Sequence, residues 1–351
     1  MTLNLGWISE SAVCLVTDTL VTKPGPSQRG MTSLGQTTQR DDGLAVEEAA
    51  AKLVPLGPHA AAALCGDAAG AIALVTTALN SIKYGTPVWD AILRAGHSVH
   101  QNQPPFGDFS LLVAMWDSGP KLLLYESRTL ALADVSDNSP VTRGSLRAEL
   151  QDRIRREIQG TPKLNRAREY ALAPALAILQ SLAASENLIE DMVGGIFYGL
   201  QINADGLHWQ PSLLYVFHQD VDDAATAPPW NIVNCRILDG VCTVGSSLAR
   251  QVRCFVPPGG YTDRSAWMSR WEESLGTAAA LDTCRAVAFI RVLGGSVVLL
   301  PNDGTHFGHY WDDKGLCFAI SPELQARLGW RPTAEQPHNY SLGLPPPAPT
   351  E

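Results

Sequence analysis

No stretch of this 351-residue chain is apolar for long enough to cross a bilayer. Its start shows no basic segment followed by an apolar one, so neither a membrane span nor a signal peptide is expected. Charge is sparse: only 17% of residues are charged, the formal net charge is -9, and no basic block occurs. That excludes nucleic acid and anionic membranes as expected partners. There is no C-x-x-C, and the seven cysteines are odd in number. They read as reduced core thiols of a cytoplasmic protein rather than a disulfide framework. H-E-x-x-H, G-x-S-x-G, the P-loop and G-x-G-x-x-G are all missing. His306-Phe307-Gly308-His309 with Asp312-Asp313 is too loosely spaced for a metal site and lacks a third ligand. No metal and no cofactor is expected.

What the chain does have is 45% hydrophobic residues, enough for a sizeable core in one large or two ordinary domains. Residues 3–19 alternate and then run apolar, as a buried strand does. Residues 21–44, rich in Pro, Gly, Ser, Thr and Gln, read as a loop. A strand pair follows at 51–56 and 60–65. Asp67 then caps an Ala-rich helix, and Thr86-Pro87 opens a second one reaching about His100. Residues 109–116 and 120–126 form a hairpin, with a short strand near 129–134. Helices are predicted at 145–158 and 166–186, and another hairpin spans Gly194 to Trp209, turning at Ala204-Asp205-Gly206. Strands in runs and helices in pairs predict an α+β fold of stacked antiparallel sheets with helices outside, a four-layer αββα sandwich. Beyond it lie an acidic, Ala/Pro-rich linker at Asp220 to Pro229 and strands at 231–245. Helices at 263–275 and 277–287, strands at 288–301 and 305–320, and a Pro-rich tail follow. The predicted units are a domain at 2–217, a C-terminal extension at 218–343, and a disordered tail at 344–351.

Four residues carry a possible chemistry. Thr2 stands behind Met1, and if Met1 is removed its hydroxyl lies beside its own free α-amine, a known way to activate a weak nucleophile. Asp18 follows Thr2 by sixteen positions at a strand end. Lys52 opens the next hairpin, and Gly66 stands fourteen residues later, where that hairpin meets the helix. A lysine near Thr2 would lower the amine's pKa and favour the alkoxide. Asp18 would pair with Lys52 and hold its charge. Gly66 lacks a Cβ, so substrate could approach its N–H closely.

This set, over roughly residues 2–210, resembles the catalytic half of a proteasome β subunit of the N-terminal nucleophile (Ntn) hydrolase superfamily. It is most similar to the bacterial proteasome-related peptidases. The resemblance implies a threonine-type hydrolase of peptide or other amide bonds, acting through an acyl-Thr2 ester without a cofactor. It also implies a homo-oligomer assembled through the outer helices. The family adds a serine after a Gly-containing strand end. Ser145 in Arg143-Gly144-Ser145 fits the register, while Ser246 in Gly245-Ser246 fits the motif better. The family's aspartate before the Gly-Gly pair falls on Glu190, with Asp191 the alternative, and its serine falls on Val193. Its arginine two residues after the aspartate is Leu20 here. These departures leave open a second reading, a weak or inactive proteasome-like scaffold, and a third, an amidase for small molecules.

Overall fold

The computed structural model describes residues 2–9, 11–25, 30–36, 38, 43–102, 106–138, 140–160, 172–186, 188–218, 231–238, 240–249, 251–258, 284–312, 315–329 and 340–341. It is a mixed α and β chain in which sheets dominate. The stretch 3–19, expected as one strand, is two: Leu3–Ser9 (β1) and Ala12–Asp18 (β2), with Ser9 paired to Ala12 where the chain reverses. Polar residues interrupt the apolar run there, and a turn needs them. The ends of the expected loop are also extended: Leu20–Pro24 (β3) pairs with Leu44–Glu48 (β4).

Leu53–Gly57 (β5) and Ala60–Gly66 (β6) form the next hairpin. Asp67 caps helix α1 (Ala68–Lys83) by accepting from Ala69 N at 3.1 Å, and α2 (Val88–Asn102) follows the Gly85-Thr86-Pro87 break. Phe109–Trp116 (β7), Pro120–Glu126 (β8) and Ala131–Asp134 (β9) complete a five-stranded sheet in the order β5-β6-β7-β8-β9. Val141–Gly144 (β10), helices α3 (Ala148–Gly160) and α4 (Ala173–Ser185), Phe197–Asn203 (β11) and Gly206–Trp209 (β12) come next. Another five-stranded sheet has the order β10-β1-β2-β11-β12.

These two sheets share one apolar cluster. Val13 and Leu15 of one pack with Ala61, Ala63, Leu112, Leu122 and Leu124 of the other. At Gly6 the sheets approach so closely that a Cβ would lie 2.8 Å from Leu122 Cδ1. Helices α1 and α2 cover the far face of the second sheet, burying Leu74, Val75, Ile92 and Ala95 against Val54, Leu64, Leu111 and Leu123. Each such fully buried Leu, Ile or Val contributes about 1.5–3 kcal/mol of transfer free energy.

The remaining strands build a C-terminal sheet: Leu213–His218 (β13), Asn231–Leu238 (β14), Val241–Ser246 (β15), Gln251–Phe255 (β16), Ala286–Arg291 (β17) and Val297–Pro301 (β18). Its order is β16-β15-β14-β13-β17-β18, with β13 antiparallel to β14 and parallel to β17. Phe307–Asp312 (β19), Gly315–Ile320 (β20) and Tyr340–Ser341 (β21) form a small sheet, and Pro322–Arg327 is helix α5. The helix expected up to 287 yields to β17, because Ala286 to Ile290 fits a central buried strand. The helix at 263–275, most of that at 277–287, the Asp220 to Pro229 linker, Asp313 and the tail lie outside the described residues.

Helix α4 flanks the two facing sheets but is itself covered. Ala175, Leu176, Ala177, Leu179, Leu182 and Ala183 are all buried. It packs against β11 on one side and against β17 and β18 on the other. A helix apolar all round needs two partners, and the C-terminal sheet is the second. Among the described residues, no helix is long and apolar enough to cross a membrane.

Candidate active site

The β1–β2 register pairs Asn4 with Thr17, which puts Thr2 and Asp18 at the same end of that hairpin. Lys52 stands just before β5 of the facing sheet and reaches the same end. Its Nζ donates to Asp18 Oδ1 at 2.7 Å and to Thr2 Oγ1 at 2.5 Å, and also donates to the Leu20 carbonyl. Thr2 Oγ1 in turn donates to Asp18 Oδ1. Thr2, Asp18 and Lys52 are 2%, 0% and 8% exposed, so three of the sequence candidates meet in one nearly dry cluster.

Asp18 is fully engaged. Oδ1 also accepts from Leu3 N at 3.1 Å, and Oδ2 accepts from Gly194 N at 3.0 Å. Burial pushes the Lys52 ammonium below its ordinary pKa, while the Asp18 charge and hydrogen bond oppose that shift. Such a lysine holds its proton less firmly than an exposed one yet still places its charge against the Thr2 hydroxyl. Tyr198 fixes the lysine's backbone, since its hydroxyl accepts from Lys52 N and, at 3.0 Å, from Leu53 N.

Ser145 borders the cluster through its backbone. Its N–H donates to the Thr2 carbonyl at 3.2 Å, while its hydroxyl donates to the Asp191 carbonyl at 2.9 Å. Gly144 before it has φ +144, and a Cβ there would lie 1.8 Å from Thr2 O, so only glycine lets β10 close on Thr2. Glu190 is exposed; its neighbour Asp191 faces this corner and pairs with Arg147 at 2.8 Å. Val193 is buried in the apolar core. Ser246 lies elsewhere, donating to the Ser33 carbonyl at 2.8 Å.

Gly66 ends β6 at φ +89, and a Cβ would lie 2.3 Å from the Asp108 carbonyl. Its own backbone therefore requires glycine, independently of any ligand. The preceding Cys65 lies within electrostatic reach of Lys52. Burial pushes its thiol up, and the lysine charge opposes that shift.

Three contributors carried no usable signal in sequence. Tyr198 looks like one more aromatic strand residue. Gly194 belongs to the Gly-Gly pair, but nothing in the pair says that its N–H meets Asp18. Glu48, fully buried, binds Thr19 Oγ1 at 3.0 Å and Ile196 N at 3.1 Å, beside both segments that hold Asp18. Among the described residues, no group of three or more His, Cys, Asp or Glu is placed to hold a metal ion. No protein-family model matches the chain, and no curated protein matches it.

Proposed function

We propose that the chain is a threonine-type N-terminal nucleophile hydrolase acting on peptide or other amide bonds. On this reading the two facing five-stranded sheets, with α1 and α2 on one side and α3 and α4 on the other, are the proteasome-like αββα sandwich. The observation that carries the proposal is the buried contact of Lys52 Nζ with both Thr2 Oγ1 and Asp18 Oδ1.

The chemistry follows from those contacts. Removal of what precedes Thr2 frees its α-amine. Thr2 Oγ attacks the substrate carbonyl, and its proton passes to that amine directly or through a water. The amine's reference pKa of about 7.7–8.0 leaves a useful neutral fraction near neutrality. The Lys52 charge stabilises the developing alkoxide, and Asp18 holds Lys52 in place. The C–N bond then breaks, the leaving amine takes the proton, and an acyl-Thr2 ester remains. Water hydrolyses the ester and restores the hydroxyl.

The test is intact mass after incubation with a threonine-directed electrophile. Wild type should gain one adduct at Thr2, and Thr2→Ala and Lys52→Ala should gain none. A retained residue before Thr2, or no adduct together with no turnover on a broad amide panel, overturns the reading. A buried Val193 in place of the family's serine favours the scaffold as the second reading. No adduct together with no turnover would favour it.

A further inference from the structure

The C-terminal sheet reaches the neighbourhood of Thr2 through an arginine. Arg253, on β16, pairs with Glu48 Oε2 and also donates to the Met31 carbonyl. The Glu48 side chain is 0% exposed and that of Arg253 20%. Glu48 Oε2 further accepts from Ser33 N at 2.7 Å and Ser33 Oγ at 2.8 Å. Its other oxygen, Oε1, accepts from Thr19 Oγ1 and Ile196 N. Ile196 N also donates to Thr19 Oγ1 at 2.9 Å.

These partners are not scattered. Thr19 directly follows Asp18. Ile196 closes the segment Gly194-Gly195-Ile196, whose first N–H donates to Asp18 Oδ2. That segment and the residues leading into it have an unusual backbone, with φ +59 at Met192, +145 at Gly194 and +67 at Gly195, so outside contacts must hold it. At Gly195 a Cβ would lie 2.6 Å from Thr19 Oγ1 and 2.9 Å from Glu48 Oε1, so no side chain fits between the segment and these two partners. The loop bearing Ser33 is held by the same sheet, since Asn231 Nδ2 and Ser246 Oγ both donate to the Ser33 carbonyl at 3.0 and 2.8 Å.

We propose that Arg253 is a positioning residue for the Thr2 site. Through Glu48 it fixes Thr19 and Gly194–Ile196, the two segments that aim Asp18 at Lys52 and Thr2. The C-terminal sheet is then part of the catalytic apparatus rather than an appendage. This rests on the reading of Thr2 as nucleophile, so one readout must not depend on it.

The experiment compares full-length wild type, Arg253→Met and Arg253→Lys. The first readout is the maximal rate of covalent labelling at Thr2, separated from the affinity for the electrophile. The second is hydrogen exchange at the Gly194 amide, which reports its bond to Asp18 without any catalysis. Arg253→Met should label roughly 10- to 100-fold more slowly at saturating electrophile, because small misplacements of a catalytic group have effects of that order. Its Gly194 amide should exchange faster while the strands of both five-stranded sheets stay protected. Arg253→Lys keeps the charge but loses one of the two hydrogen bonds, and should be intermediate in both readouts. Wild-type values of both in Arg253→Met overturn the proposal. So does slowed labelling that merely accompanies global loss of protection, because a purely stabilising residue acts that way. If wild type does not label, the nucleophile reading fails and Gly194 exchange alone decides whether Arg253 holds the segment. If Arg253→Met does not fold, Arg253→Lys carries both readouts, and wild-type values there overturn the proposal.

Discussion

Lys52 is the residue in which chemistry and stability pull against each other. Its side chain is 10% exposed and its partner Asp18 is 0% exposed, so both charges have left most of their water. Replacing Lys52 by Met strands a buried carboxylate. That should lower stability by about 3–5 kcal/mol, and the double variant Asp18→Asn/Lys52→Met should regain much of the loss. Urea unfolding of Lys52→Met, Asp18→Asn and the double variant decides this, and a double loss equal to the sum of the two single losses would mean that the pair is not coupled. The same pair has a pH signature. Because the folded-state pKa of Lys52 lies below its unfolded value of 10.5, the unfolded chain binds more protons between the two. The stability of wild type relative to the double variant should therefore rise as pH climbs through the lowered pKa and level off above about 10.5. A difference that falls with pH over that window would reverse the sign argued from burial.

At the scale of elements, the legible parts were those whose signal is local. The turn between β11 and β12 showed in Asn203-Ala204-Asp205-Gly206, the start of α1 in Asp67, and the β7–β8 hairpin in two apolar runs around Ser118-Gly119-Pro120. What failed depended on distant partners. The β1–β2 reversal was missed because its polar interruption, Ser9-Glu10-Ser11, is short and the buried strands on either side read as one run. The β3–β4 ribbon is made of polar-flanked residues separated by about twenty others, so no short window shows the pairing. The site divides in the same way. Thr2, Asp18 and Lys52 were legible through their spacing, whereas the Tyr198 hydroxyl and the Glu48 carboxylate accept from backbone N–H groups of distant segments and Gly194 acts through its own N–H. Asp67 offers a test of the local kind. Its carboxylate caps α1 and also accepts from Gly107 N at 2.9 Å, tying the helix start to the loop before β7. Asp67→Ala should destabilise the protein by about 1–2 kcal/mol, as loss of a cap does, with Thr2 labelling at the wild-type rate in the folded protein. Thermal unfolding and labelling measured together check this, and a labelling defect at full stability would place Asp67 in the site.

For the whole molecule, the question is whether a chain of this length unfolds in one step. Length alone allows one large unit or two ordinary ones. The packing argues for one unit, because one apolar cluster runs from Leu112 and Leu122 of the second sheet through Leu15 and Phe197 of the first. It continues through Leu176 and Leu179 of α4 to Tyr215, Val233 and Ile290 of the C-terminal sheet. Polar ties follow the same route: Gln180 binds Gly195 O and Phe197 N, at 3.0 and 3.1 Å, and Ser181 binds Gly295 O at 2.9 Å. Neither the first sheet nor the C-terminal sheet can let go of α4 without exposing its own apolar face and the helix face packed on it. Leu179→Ala, at a site 0% exposed, should therefore cost about 2–5 kcal/mol. More tellingly, it should shift the unfolding of both sheets equally. Hydrogen exchange through a denaturant series reads them separately, at the β1–β2 amides and at the β13–β17 amides. The two sets should lose protection at one midpoint in wild type and at one lower midpoint in the variant. Separate midpoints, with only one moved by Leu179→Ala, would show that the C-terminal sheet is an independent unit and that α4 belongs to just one side.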